Sequence, residues 1–170
     1  MLHRISVLTV AVTSLCLGSS TSALGQGPAK QTKKNEGMTA TSVGDLKWSD
    51  LKVPGFDPGA QMAVLDGNPA AAGGVYTLRL KFPAGYRFPS HWHPKTEHLT
   101  VLSGSFQLGM GTSEDQSMEK TYGPGDFLMI PGRHPHYGGA AQESVVQLHG
   151  VGPFQIFLSK KAVAKTKAGN

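Results

Sequence analysis

Between Gly85 and Gly104 the chain reads G-Y-R-F-P-S-H-W-H-P-K-T-E-H-L-T-V-L-S-G, which sets His91, His93 and Glu97 at short fixed offsets between two glycines. Imidazole nitrogen and carboxylate oxygen are donors that hold a mononuclear transition metal. The spacing limits how they can meet. Along one straight strand, at ~3.3 Å per residue, His93 and Glu97 would stand roughly 13 Å apart, too far to share an ion. Pro94 breaks such a strand, because proline has no N–H to give to the ladder. His91 and His93 share a face by period-2 alternation and are expected to end one strand. Pro94-Lys95-Thr96 then turns the chain as a hairpin, and Glu97 opens the next strand beside them. Trp92 falls on the opposite face and reads as packing, and His98, of opposite parity to Glu97, faces away.

A second run, Gly125 to His136, reads G-D-F-L-M-I-P-G-R-H-P-H. A strand of large apolar residues, Phe127 to Ile130, ends at Pro131, and a Gly/Pro turn leads to His134 and His136. The first run resembles cupin motif 1, G-x5-H-x-H-x3-E-x6-G, with every defining position filled. The second resembles cupin motif 2, G-x5-P-x-G-x2-H-x3-N. Gly125, Pro131 and His136 match it, while Arg133 stands where the motif has glycine and Ala140 where it has asparagine. The resemblance covers about Val75 to Phe157 and implies a fourth metal ligand, His136, with His134 as the alternative if the turn ran two residues shorter. It implies one divalent transition metal ion (Mn, Fe, Cu, Zn or Ni), whose identity the sequence leaves open.

The elements that must position these residues read as one all-β unit. Leu46–Leu51 and Ala60–Asp66 are expected as short strands around the turn Pro54 to Gly59. Asp66-Gly67-Asn68-Pro69 is a further turn, and Val75–Phe82 a strand. After the motif 1 hairpin come a strand Ser105–Met110, a polar loop Gly111–Met118, the second motif, a strand Ser144–Leu148 and a last strand Phe154–Ser159. Short strands punctuated by Gly/Pro turns make a sandwich or barrel. The resemblance selects the cupin jelly-roll β-barrel, over residues 45–159, with flexible tails on both sides.

Outside that unit, Met1 to about Ala23 has a weakly basic start, an apolar run Ile5–Leu17 and small residues after it. That is the order of a secretory signal peptide (residues 1–25, cleaved after Ala23 or Gly25), and the run is too short for a membrane span. An exported product, periplasmic or extracellular, is therefore expected. Cys16, the one cysteine, leaves with the signal, so the mature chain has no disulfide and no thiol ligand. Residues 26–44 read as a polar linker and 160–170 as a basic tail. The net charge of +5 sits in these ends. Between Asp45 and Ser159 there are eight Lys+Arg against ten Asp+Glu, so a nucleic-acid surface is not expected, nor stable membrane insertion.

Three imidazoles and a carboxylate bind a divalent ion and leave positions for water or substrate. The set, the single barrel and the small size resemble the cupin type-2, quercetin-dioxygenase-like proteins. The resemblance implies a metal-dependent dioxygenase, or a related oxygenase or lyase, acting on a small chelating organic substrate, with Glu97 also the candidate base. A non-catalytic metal- or small-ligand-binding or sensing cupin is the alternative. His149, which shares a strand face with Gln147, is a further catalytic candidate; Tyr137 reads as packing, with a hydroxyl offered to substrate as the alternative, while Arg79 and Lys81 read as an outer face. A homodimer through the Leu46–Leu51 segment with Trp48 is also what the resemblance implies.

Overall fold

The computed structural model describes residues 37–160 and Ala162. The expected signal peptide with Cys16, most of the linker and most of the basic tail lie outside the described residues. Among the described residues the chain is built from antiparallel strands and two short 3-10 turns, Val43–Asp45 and Gln116–Met118. No helix among them is long and apolar enough to cross a membrane. The strands are β1 (Ser49–Asp50), β2 (Gln61–Gly67), β3 (Val75–Phe82), β4 (Arg87–Trp92), β5 (Glu97–Met110), β6 (Lys120–Tyr122), β7 (Phe127–Ile130), β8 (His136–Val151) and β9 (Phe157–Leu158).

Two long strands turn this set into a jelly roll. The first part of β8 lies between β4 and the end of β5, whereas its second part lies between β3 and the start of β5. One side of the barrel therefore runs β9-β4-β8-β5-β6 and the other β1-β2-β3-β8-β5-β7. Alternation places Leu78, Leu80 and Phe82 inside from β3, Leu99 and Val101 from β5, and Val146 and Leu148 from β8, all of them buried. Each such side chain contributes on the order of 1.5–3 kcal/mol by leaving water. The core so formed is continuous from one side of the barrel to the other.

The corner where β5 and β8 change partners is specified locally. The register shifts between Val101 and Phe106, and Gly104 sits there with φ of 84°. A β-carbon at Gly104 would run into the Glu143 carbonyl oxygen and the Ser144 side chain. Fully buried Ser144 completes the corner. Its Oγ accepts from the Ser105 N–H at 2.9 Å and donates to the Gln142 carbonyl at 2.8 Å.

Several sequence expectations change here. Motif 1 is not a hairpin: β4 pairs with β8 and β9, and β5 with β6, β7 and β8. Pro94 does end the strand, but the chain then crosses the barrel. Ser105–Met110 and Ser144–Leu148 are not separate strands but parts of β5 and β8, because Gly104 bends its strand and does not end it. The Leu46–Leu51 segment contributes only Ser49–Asp50, paired to β2 of the same chain. Trp48 lies under the Lys81 ammonium, 4.7 Å from ring centre to Nζ, and the Phe154–Ser159 strand shortens to β9.

Gly104→Ala combines a left-handed backbone with a collision against main chain. It should lower stability by about 2 kcal/mol or more. Urea unfolding with an unchanged midpoint would contradict this account of the corner.

Candidate metal centre

Four buried polar side chains converge inside the apolar barrel: His91, His93, Glu97 and His136. His91 comes from β4, where a register shift after Phe88 breaks the alternation and turns it inward. It stands directly across from His136, the first residue of β8, with ring centres 4.3 Å apart. His93 lies just past the end of β4. The Arg133 N–H donates to the His93 carbonyl at 2.7 Å, fastening the turn after β7 to the end of β4. Arg133 occupies the place where the motif has glycine and still adopts φ of 64°. The turn geometry is kept without the glycine. Glu97 opens β5, on the other side of the barrel, in register with Ile130 of β7.

Each imidazole is held by the same device. His91 Nδ1 donates to the Pro89 carbonyl at 2.9 Å, His93 Nδ1 to Gln155 at 2.8 Å, and His136 Nδ1 to His134 at 3.0 Å. A carbonyl only accepts, so Nδ1 carries the proton in all three rings and each Nε2 keeps its lone pair. One donor nitrogen from each of the three rings lies within 4.8 Å of the others. Glu97 Oε2 stands 3.2 Å from His93 Nε2 and 3.6 Å from His136 Nε2. This donor set fits a divalent transition metal.

Burial fixes the charge of these groups. It holds His91 well below the ordinary imidazole range, with the neighbouring His136 and His93 adding to the shift. It takes His93 down to about 3, again with help from His136, and lowers His136 too. Burial pushes Glu97 up to about 8. Tyr76 is raised, first by burial and then by Glu97. Metal-free, the site is therefore uncharged near neutrality: three neutral imidazoles and a protonated carboxyl.

The cavity in front of these groups holds about 40 Å³ of free space, room for roughly three waters. Apart from the four polar residues its wall is apolar. Phe56 meets His91 edge-on at 5.1 Å, and Phe154 lies parallel to His93 at 5.2 Å, with 11° between the planes. Both phenylalanines come from loops outside the histidine-bearing motifs, so spacing could not have found them. Their one signal is an isolated aromatic inside a Gly/Pro-rich turn.

The other sequence candidates lie elsewhere. His134 is exposed on the turn, its Nδ1 3.1 Å from the Gly132 carbonyl oxygen. His149 does not line the cavity. It is exposed on the outer face of β8, because Val146 and Leu148 take the inward positions, and it stacks on His98. Tyr137 is fully buried, and its hydroxyl donates to the Asp115 carbonyl at 2.9 Å. Trp92 stacks on Phe157, and Arg79 donates to Gln147.

Residues 78–151 match the family profile described as "Cupin domain". Dimethylsulfoniopropionate lyase DddQ of Ruegeria pomeroyi is 31% identical over 71 residues, a stretch that spans 42% of this chain and 33% of that protein. The polyketide cyclase RemF from Streptomyces resistomycificus superposes with a TM-score of 0.58 at 24% identity, over 76% of this chain and 93% of that one. An RmlC-like cupin from Shewanella frigidimarina gives 0.51 at 14% identity, over 75% and 96%. The two structural likenesses are likenesses of fold.

The raised Glu97 pKa carries a sign. Between pH 6.5 and about 8 the folded metal-free chain holds a proton on Glu97 that the unfolded chain has lost. The Glu97 contribution to stability therefore falls as pH rises through that window, by roughly 2 kcal/mol. An opposing rise comes from the three histidines, which are neutral in the folded chain and still part-protonated in the unfolded one at the start of the window. Glu97→Gln should remove the Glu97 part of the slope in metal-free protein. Thermal unfolding at pH 6.5 and 8 with equal slopes in both proteins would contradict the assignment.

Proposed function

We propose that this chain, whose residues 78–151 match the cupin profile, is a cupin that works as a mononuclear metal-dependent enzyme, an oxygenase or lyase acting on a small chelating organic substrate. The observation that supports this most is the set of three inward Nε2 lone pairs with a carboxylate beside two of them. His91, His93 and His136 would hold the ion, with Glu97 as the fourth donor. When bound, a divalent metal supplies Lewis acidity, polarising a carbonyl or carboxylate oxygen of the substrate.

The chain's own residues do the rest. Glu97, as carboxylate, takes the proton from the carbon next to the polarised group, and its Oε holds that proton. A cation beside it favours this carboxylate form over the protonated one that burial favours in the metal-free site. The step is common to both readings: removal of that proton begins an elimination, and it also yields the electron-rich enolate that an oxygenase needs. Phe56 and Phe154, packed on two of the imidazoles, keep bulk water from the exposed side of the site. The partial match to a lyase favours elimination over oxygenation. A binding or sensing role without turnover is the second reading, and the small cavity favours it, since a larger substrate requires Phe56 or Phe154 to move.

The test is turnover by metal-free protein reloaded separately with Mn, Fe, Cu, Zn and Ni. Small β-dicarbonyls, enols and β-substituted carboxylates are screened for oxygen uptake and for alkene release. At least one metal should support turnover, and Glu97→Gln should lower kcat about 10²–10⁴-fold while retaining the ion. Full activity in Glu97→Gln would remove the base assignment. No turnover with any metal would leave the binding role.

A further inference from the structure

The barrel wall has a seam. β7 pairs with the first part of β5 and β6 with its second part, beyond the bend at Gly104, and among the described residues neither has another strand partner. Side chains alone close the gap between them. Leu108 of β5 and Ile130 of β7 fill it from inside, and both are buried. The same two residues line the metal cavity on one side and an outer groove on the other. The seam also runs beside two of the four donors. Ile130 is directly paired with Glu97, and Met110, at the end of β5, with His136. Directly paired residues share a face of their sheet.

The outer groove is apolar. Met110, Met118, Phe127 and Met129 line it, and all four are exposed. Lys120 is the one charged residue in its lining. Large apolar side chains left in water around one groove mark a place that meets an apolar partner or ligand. Three of the four are methionines, whose unbranched thioether chains repack readily around what they meet. An ion or a strongly hydrated molecule passing between Leu108 and Ile130 would give up its water for no hydrogen bond. An uncharged apolar molecule has no such loss.

We propose that the seam between β6 and β7 is a side entrance to the cavity for a small uncharged apolar molecule, with Leu108 and Ile130 as its gate and the methionine-lined groove as its vestibule. Which molecule passes rests on the reaction proposed for the cavity: dioxygen arriving for an oxygenase, or an alkene leaving after an elimination. Phe56 and Phe154 line the cavity and not the groove, so the chelating substrate and this molecule have separate ways in.

The test places metal-free protein under xenon, an uncharged atom that apolar cavities take up. Xenon should shift the methyl resonances of Leu108 and Ile130 together with those of Met110 and Met129. Its exchange with free xenon, read by NMR saturation transfer, should slow about tenfold in Leu108→Phe and in Met129→Trp, and stay unchanged in Phe56→Ala. Met129 is exposed, so its variant keeps the core intact should Leu108→Phe fail to fold. No xenon at Leu108 and Ile130, or exchange that follows Phe56 and ignores both groove variants, would overturn the entrance. These readings need neither metal nor turnover, so they stand or fall apart from the enzymatic role. In active protein the same variants tell the two molecules apart: a raised KM for dioxygen marks the oxygenase, and a lowered kcat with delayed alkene release marks the lyase. Active protein with every constant unchanged in both variants would also overturn the entrance.

Discussion

Three imidazoles lie inside an apolar barrel, where burial keeps them neutral, and each donates its Nδ1 proton to a backbone carbonyl. A buried cation without a partner is far costlier than a buried neutral ring with one hydrogen bond. The same bond fixes the tautomer and turns Nε2 towards the cavity. The three carbonyls belong to Pro89, Gln155 and His134, on β4, on the approach to β9 and on the turn before β8. The orientation of the site thus depends on the backbone of three separate segments. Closing the barrel and aiming the lone pairs are one event.

β8 ties those segments together. Its first residue supplies His136 and pairs directly with His91, while its far end forms the wall against β3. Glu97 arrives from the opposite side of the barrel on β5, which also runs the length of β8. The bend at Gly104 and Ser144 lets both strands serve two sides, and so lets ligands from β4 and β5 face each other. The distance between two sides of a barrel, filled by side chains, replaces the hairpin that the spacing of His93 and Glu97 suggests.

The cavity site was the most legible part of the chain. Alternation put His91 and His93 on one face and Pro94 separated them from Glu97, but the hairpin expected to bring Glu97 beside them does not form. The second motif, by alignment, preferred His136, which is buried, to His134, which is exposed. What the sequence hid were events of tertiary pairing. Gly104 looks like a terminator, yet a left-handed residue inside a long strand only bends it. The register shift after Phe88 has no composition signal. His149 follows the apolar Val145 and Val146, which left its facing open, but Val146 and Leu148 hold the inward parity. Phe56 and Phe154 reach the site from loops, and an aromatic in a Gly/Pro-rich turn does not say where that turn folds.

The most direct test of the metal centre is elemental analysis of untagged protein from its native host, beside a His91→Ala/His93→Ala variant purified identically and without chelator. The cavity accounts for one tightly held transition metal per chain, lost in the folded variant. A folded native protein with no metal, or a variant that keeps the same tightly held ion, would contradict it.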